Sequence, residues 1–225
     1  MPGSANLSAT AILNYEDPLV RAVSQTLQAN SGLEFLKSAH AYVHYQVAPI
    51  YTLHERQPVA TTFRKAEGSC SQRLACLEAL ARSKEIPTRV RALWIHGEFW
   101  YPRFKVLRPF LPKHVLVPWP QFHLDGTWID VDEIFGKSEA LASKATGPFT
   151  NSGETLFEAL ENTAVDFLGK TSKCNVACSV DLSRFVLKDG GLFDSRDELF
   201  KKVDLLCDTW RGLAFEMLFG GRRVS

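Results

Sequence analysis

Net charge is what this chain has least of. Its 26 Lys and Arg stand against 25 Asp and Glu, a formal +1 over 225 residues. No basic block stands out beyond the short Arg222-Arg223 end, so nothing draws the chain to nucleic acid or to an anionic membrane. No apolar run is long enough to span a bilayer. The first residues, Met1-Pro2-Gly3-Ser4-Ala5-Asn6, lack a basic region followed by an apolar run, so a secretory leader is not expected. Five cysteines, an odd number in a chain of ordinary size, do not suit a disulfide framework and read as reduced thiols of a cytoplasmic protein. Internal repeats and the alternating acidic loop of a calcium site are missing, and no cofactor is expected.

What is present is enough apolar material for one sizeable core: hydrophobic residues make up 45% and aromatics 11%. Asp17-Pro18 opens an amphipathic segment over 19–28, and Asn30-Ser31-Gly32 breaks it before a second helix over 33–47. Residues 49–67 read as irregular. A helix follows from Gln72, then a strand over 89–95 after Ile86-Pro87-Thr88. Residues 97–113 form a long aromatic connection to a second strand over 114–124. Asp125-Gly126 is a hairpin turn, and Trp128-Ile129-Asp130-Val131-Asp132 is a third strand. The tail reads as helical, best over 154–168 and 197–218. The order gives an α+β fold in a single domain, 1–225, with a core over 33–135 and a helical extension over 136–225.

Cys70 is the residue with the most chemistry in its setting. It follows Gly68-Ser69 directly before the helix, where unpaired N–H groups and the helix dipole favour a thiolate, the nucleophilic form. Gly68 is expected to allow a sharp turn there, and Ser69 stands where an N-cap belongs. A cysteine nucleophile also needs a histidine to carry protons and a group to orient it.

The order of parts supplies a resemblance. Pro58-Val59-Ala60-Thr61-Thr62-Phe63-Arg64-Lys65-Ala66 leads to Gly68-Ser69-Cys70. Ile86-Pro87-Thr88-Arg89-Val90 follows, and then Phe122-His123-Leu124-Asp125-Gly126-Thr127-Trp128-Ile129-Asp130-Val131-Asp132. Together these resemble the transglutaminase-like superfamily of papain-type cysteine enzymes over about 33–135. The resemblance implies a papain/transglutaminase-like core in which the cysteine-led helix packs on an antiparallel sheet. It implies Cys70 as nucleophile and Asp132 as orienting carboxylate. It further implies acyl transfer, or hydrolysis of an amide, ester or thioester, on a small-molecule or peptide acyl substrate.

The histidine is where the chain departs from the family. Aligned without gaps on Trp128 and Asp132, the family's histidine falls on Val117. One reading makes Pro118-Trp119-Pro120 a bulge, since two prolines cannot donate ladder bonds, and this brings His114 into register. Another leaves the strand regular, so that Val117 replaces the base and the domain becomes a binding module for a peptide, small molecule or protein. A third brings His96 or His123 to Cys70 from elsewhere.

Plainer readings stand beside these. Cys70 is also read as a buried small hydrophobe, and Asp130 and Asp132 as solvated groups or caps. Cys76 reads as structural. Cys174 and Cys178 have the wrong spacing for a redox pair and no histidines for zinc. His40 and His44 share a helix face but lack the Glu of a zinc-protease motif, and His54 reads as solvated. Trp94, Trp128 and Trp210 read as core. Trp100, in Phe99-Trp100-Tyr101, and Trp119 are candidate substrate-binding residues, with a minor core over the sheet edge as the alternative for the aromatic loop.

Overall fold

The computed structural model describes residues 2–105, 108, 111–136, 149–162, 165–170 and 181–224. Asp17 starts helix α1 (Pro18–Thr26): its carboxylate accepts from Leu19 N, and Pro18 occupies a position whose N–H would have no helical partner anyway. Ser31 caps α2 (Gly32–Gln46) through Glu34 N. The stretch expected to be irregular contains a short helix, α3 (Val59–Lys65), ended by Ala66 in the left-handed region. Two minimal strands, β1 (Ala48–Pro49) and β2 (Glu67–Gly68), pair in parallel and deliver the chain to α4 (Cys70–Ser83).

Ser69 caps α4 with a reciprocal box. Its hydroxyl accepts from Gln72 N, and Gln72 Oε1 accepts from Ser69 N. Gly68 is needed for a different reason from the one expected. Its backbone is not left-handed, but a Cβ would stand 2.9 Å from Thr62 Cγ2. Ser69→Ala is expected to cost about 1 kcal/mol of stability, read as a lowered urea midpoint with an unchanged slope. An unchanged midpoint would show that the box contributes nothing.

Helix α4 is the axis of the fold. Every residue from Gln72 to Arg82 is buried, with α1, α2 and α3 packed around it and the sheet beside it. A helix apolar or enclosed all round belongs in a core. Its charges Arg73, Glu78 and Arg82 therefore all need buried partners. Arg82 finds them on the sheet side, donating to Thr88 Oγ1 and to the carbonyls of Ala5, Ser8, Thr88 and Asp194.

The sheet is antiparallel, in the order β5-β4-β3-β6, built from β3 (Thr88–His96), β4 (His114–Leu124), β5 (Thr127–Asp130) and β6 (Val186–Phe193). Asp125 and Gly126 both have positive φ, 49° and 81°, as the two-residue turn between β4 and β5 requires. That turn makes Leu124 and Thr127 a hydrogen-bonded pair, so Phe122, Pro120 and Pro118 also direct their backbone edge to the β5 side. The ladder with β5 ends at Gln121 and Asp130. Pro118 and Pro120 thus present their missing donors where no strand follows, and β4 loses nothing against β3.

The tail departs from the helical expectation. It supplies the edge strand β6, whose Lys188-Asp189-Gly190-Gly191 run reads as a turn. Gly190 is tightly placed there, because a Cβ would lie 3.0 Å from Ala92 Cβ and 3.2 Å from Ala92 O. The expected helix over 154–168 shortens to α5 (Leu156–Asn162), and that over 197–218 divides into α6 (Arg196–Lys202) and α7 (Trp210–Phe219). Among the described residues no helix is long and apolar enough to cross a membrane.

Candidate functional site

The register of β4 decides where the histidines lie. Its pairing with β3 runs without interruption from His96↔His114 to Thr88↔Phe122, with Val117 opposite Leu93 and Trp119 opposite Arg91. The bulge that would restore His114 to the family position is not formed. His114 stays at the open end of β4, exposed, across from His96. It lines a cavity of about 210 Å³ with Glu55, Trp94, Leu116, Pro118 and Phe200, and Cys70 is not in that wall. Strand alternation puts Val117 on the face opposite His114, together with Trp119 and Gln121.

Cys70 occupies the first turn of α4, half-buried against the core. Its sulfur faces the start of α5, close enough to the Phe157 backbone N–H for that group to favour the thiolate. The helix-start position predicts an activated thiol, but burial outweighs it and pushes the thiol up to about 11, against the lowering effects of Arg73, the Phe157 N–H and Arg196. At neutral pH roughly one molecule in ten thousand is then a thiolate.

The tail holds its place over Cys70 through Arg73. Its guanidinium lies 4.4 Å from the Phe157 ring centroid, donates to Thr155 Oγ1 and Glu158 Oε1, and is fully buried. The His40 ring stacks on the Phe157 ring, 4.3 Å away and 9° from parallel, and its Nε2 lies 2.7 Å from the Phe157 carbonyl. A carbonyl only accepts, so Nε2 carries the hydrogen and the ring is neutral; burial holds its pKa down at about 4. Phe157, 87 positions downstream of Cys70, was not anticipated, and no local pattern signals such a contact.

The histidines are accounted for elsewhere. His54 is exposed and 3.4 Å from Glu216, His96 accepts from Glu98 N, and His123 packs edge-on to Trp128. Among the described residues, none of the six makes a hydrogen bond to Cys70.

Asp132 lies just past the end of β5, in a 3-10 turn over Val131–Glu133, not in a strand. It is 4% exposed, and among the described residues its Oδ1 has no hydrogen-bond partner. Burial, and the neighbouring Asp130 after it, push its carboxyl up to about 7 despite Lys170. Asp130 is well paired by contrast, accepting from Gln121 Nε2 and Lys170 Nζ, while Arg89 donates to Gln121 and covers Trp128.

The tryptophans divide. Trp119 is 1% exposed and packs edge-on to Phe167, so it is core and no cleft wall. Trp100 leans half-exposed on Phe99, which joins Phe149, Phe167 and Phe185 in the minor core over the sheet. Trp210, expected in the core, is 74% exposed. Cys76 is fully buried, as a structural thiol should be, and Cys174 and Cys178 lie outside the described residues. Among the described residues no three His, Cys, Asp or Glu side chains group as a metal site.

The sequence profile of the transglutaminase-like superfamily matches residues 19–133, more than half of the chain, from α1 to the turn that bears Asp132. This chain belongs to the transglutaminase-like superfamily. No curated protein matches it significantly. Two solved structures are similar in part. One is an inferred cysteine protease from Cytophaga hutchinsonii, 15% identical with a TM-score of 0.43, over 58% of this chain and 42% of that one. The other is an inferred protease from Parabacteroides distasonis, 14% identical with a TM-score of 0.36, over 56% of this chain and 25% of that one. The chain thus spans less than half the length of the first and a quarter of the second.

Proposed function

We propose that this chain is a catalytically altered transglutaminase-like domain, one that binds a peptide, small molecule or protein and does not run Cys-His-Asp acyl transfer. The observation that carries the reading is the unbroken ladder of β4, which has no bulge at Pro118-Trp119-Pro120 to shift His114 into the register that the resemblance implies. Three features support it. Asp132, the orienting carboxylate by resemblance, has an acceptor with nothing to accept from. Among the described residues no histidine makes a hydrogen bond to Cys70. Its thiol is also protonated at neutral pH.

A second reading keeps the enzyme: Cys70 attacks an amide, ester or thioester carbonyl, a histidine carries its proton to the leaving amine, alcohol or thiol, and water or an amine then releases the acyl group, with His114 and Asp132 as the partners that the resemblance implies. What favours it is the placement of Cys70 on a capped helix start, where backbone N–H groups are available to an oxyanion. Iodoacetamide separates the two. On the first reading Cys70 alkylates at least about tenfold more slowly than a free model thiol at pH 7.5, and the rate climbs about tenfold per pH unit up to near pH 11. A pH-independent fast rate at Cys70, with ester hydrolysis abolished by Cys70→Ala, would overturn the binding-module reading.

A further inference from the structure

Helix α7 has apolar residues on both sides, and only one side is covered. The inner face is fixed to the body. Phe215 and Phe219 pack on Phe104, and Glu216 accepts from the Thr52 hydroxyl and from Leu53 N. Gly212 lies so close to the chain below that a Cβ would stand 2.0 Å from the Leu206 carbonyl. The helix therefore cannot roll inward. Outward it presents Trp210, Leu213, Ala214, Met217 and Leu218, the i, i+3, i+4, i+7, i+8 stripe with which one helix packs on another. The four large residues are 74%, 63%, 88% and 59% exposed.

We propose that this stripe is the interface of a homodimer, in which α7 of one copy packs antiparallel on α7 of a second about a two-fold axis near Ala214. Size favours it: the four side chains offer roughly 600 Å² per copy, so two copies bury about 1,200 Å², the lower bound of a stable interface before any rim is added. Charge sets the direction. Exposed Asp204 and Asp208 flank the N-terminal end of α7, and exposed Arg222 and Arg223 follow its C-terminal end. Asp208 already pairs with Arg56, and it adds to an acidic end all the same. An antiparallel copy sets each acidic end against the other's basic end. Arg211, unfavourably placed at the positive end of its own helix, moves beside the negative C-terminal turn of its mate. Acidic groups beside Trp210 disfavour an anionic bilayer as the occupant.

Analytical ultracentrifugation of the full chain from about 1 to 100 µM tests this. The expected result is a reversible dimer whose Kd rises at least about tenfold in Met217→Glu and in Leu213→Glu, each checked for unchanged far-UV circular dichroism. Ala214→Cys is expected to form a disulfide-linked dimer under mild oxidation, as two thiols near a two-fold axis should. A monomer at 100 µM, a dimer indifferent to both Glu substitutions, or a monomer that sediments with phosphatidylserine vesicles would each overturn the proposal, the last assigning the stripe to a membrane.

Discussion

Replacing Arg196 by Met is expected to destabilise the fold by about 3–5 kcal/mol, because it strands a buried carboxylate. Arg196 opens α6 and is 1% exposed. Its Nε donates to Glu78 Oε1 at 2.6 Å and its second nitrogen donates to Ser71 Oγ at 2.8 Å. Glu78 is wholly buried on α4, and among the described residues its other oxygen already lacks a partner. Burial pushes the Glu78 carboxyl up even with Arg196 beside it. Without the guanidinium that carboxyl must hold a proton to stay inside. A raised folded-state pKa in an acid contributes stability below the unfolded value, and the contribution is lost as pH rises through the folded one. The deficit of Arg196→Met should therefore be smaller at pH 5 than at pH 8. Adding Glu78→Leu removes the stranded charge, so the double variant should recover most of the loss, since paired apolar replacements of buried ion pairs are commonly neutral or better. Urea denaturation of the two single variants and the double one reads this. A single-variant cost under 1 kcal/mol, or a double variant no better than the single, would show that the pair does not clamp α6 to α4.

The same network shows what the chain's local patterns could and could not reveal. Ser71 and Glu78 are seven residues apart on one face of α4, so their common side is legible from helical spacing. Arg196, about 120 positions away, is not. Cys70, Ser69, the Asp125-Gly126 turn and the α4-to-β5 order were readable because each rests on neighbours in sequence. β6 was not, because its Gly190-Gly191 pair carries a turn signature whose real cause is the closeness of Ala92 across the ladder. The state of the site hung on one register, and Pro118 and Pro120 alone could not decide it. Prolines disrupt a strand only where their edge faces a partner, and here that edge passes beyond the end of β5. The helix-start rule for Cys70 gave way to burial by α5, a segment outside the family's matched span.

Asp132→Asn is expected to remove most of a pH dependence from the stability of this domain. The carboxyl ordinarily ionises near 3.8 and is raised to about 7 in the fold, by burial first and by Asp130 next. Between those values the folded state binds more protons than the unfolded one, so stability falls as pH rises, by about 1.4 kcal/mol per unit at the steepest. Over the whole interval the loss is on the order of 4 kcal/mol. An amide cannot ionise, so between pH 5 and pH 8 the urea midpoint of Asp132→Asn should fall less than that of the native chain, with the variant's advantage larger at pH 8 than at pH 5. Equal pH slopes in both proteins would show that Asp132 is ionised in the fold. The result bears on function because an orienting carboxylate must be an anion to stabilise an imidazolium. In a working triad the charge is held by the ring N–H it accepts, and losing it costs activity. Here Oδ1 has no such donor, Val117 offers none, and the charge is a liability to the fold.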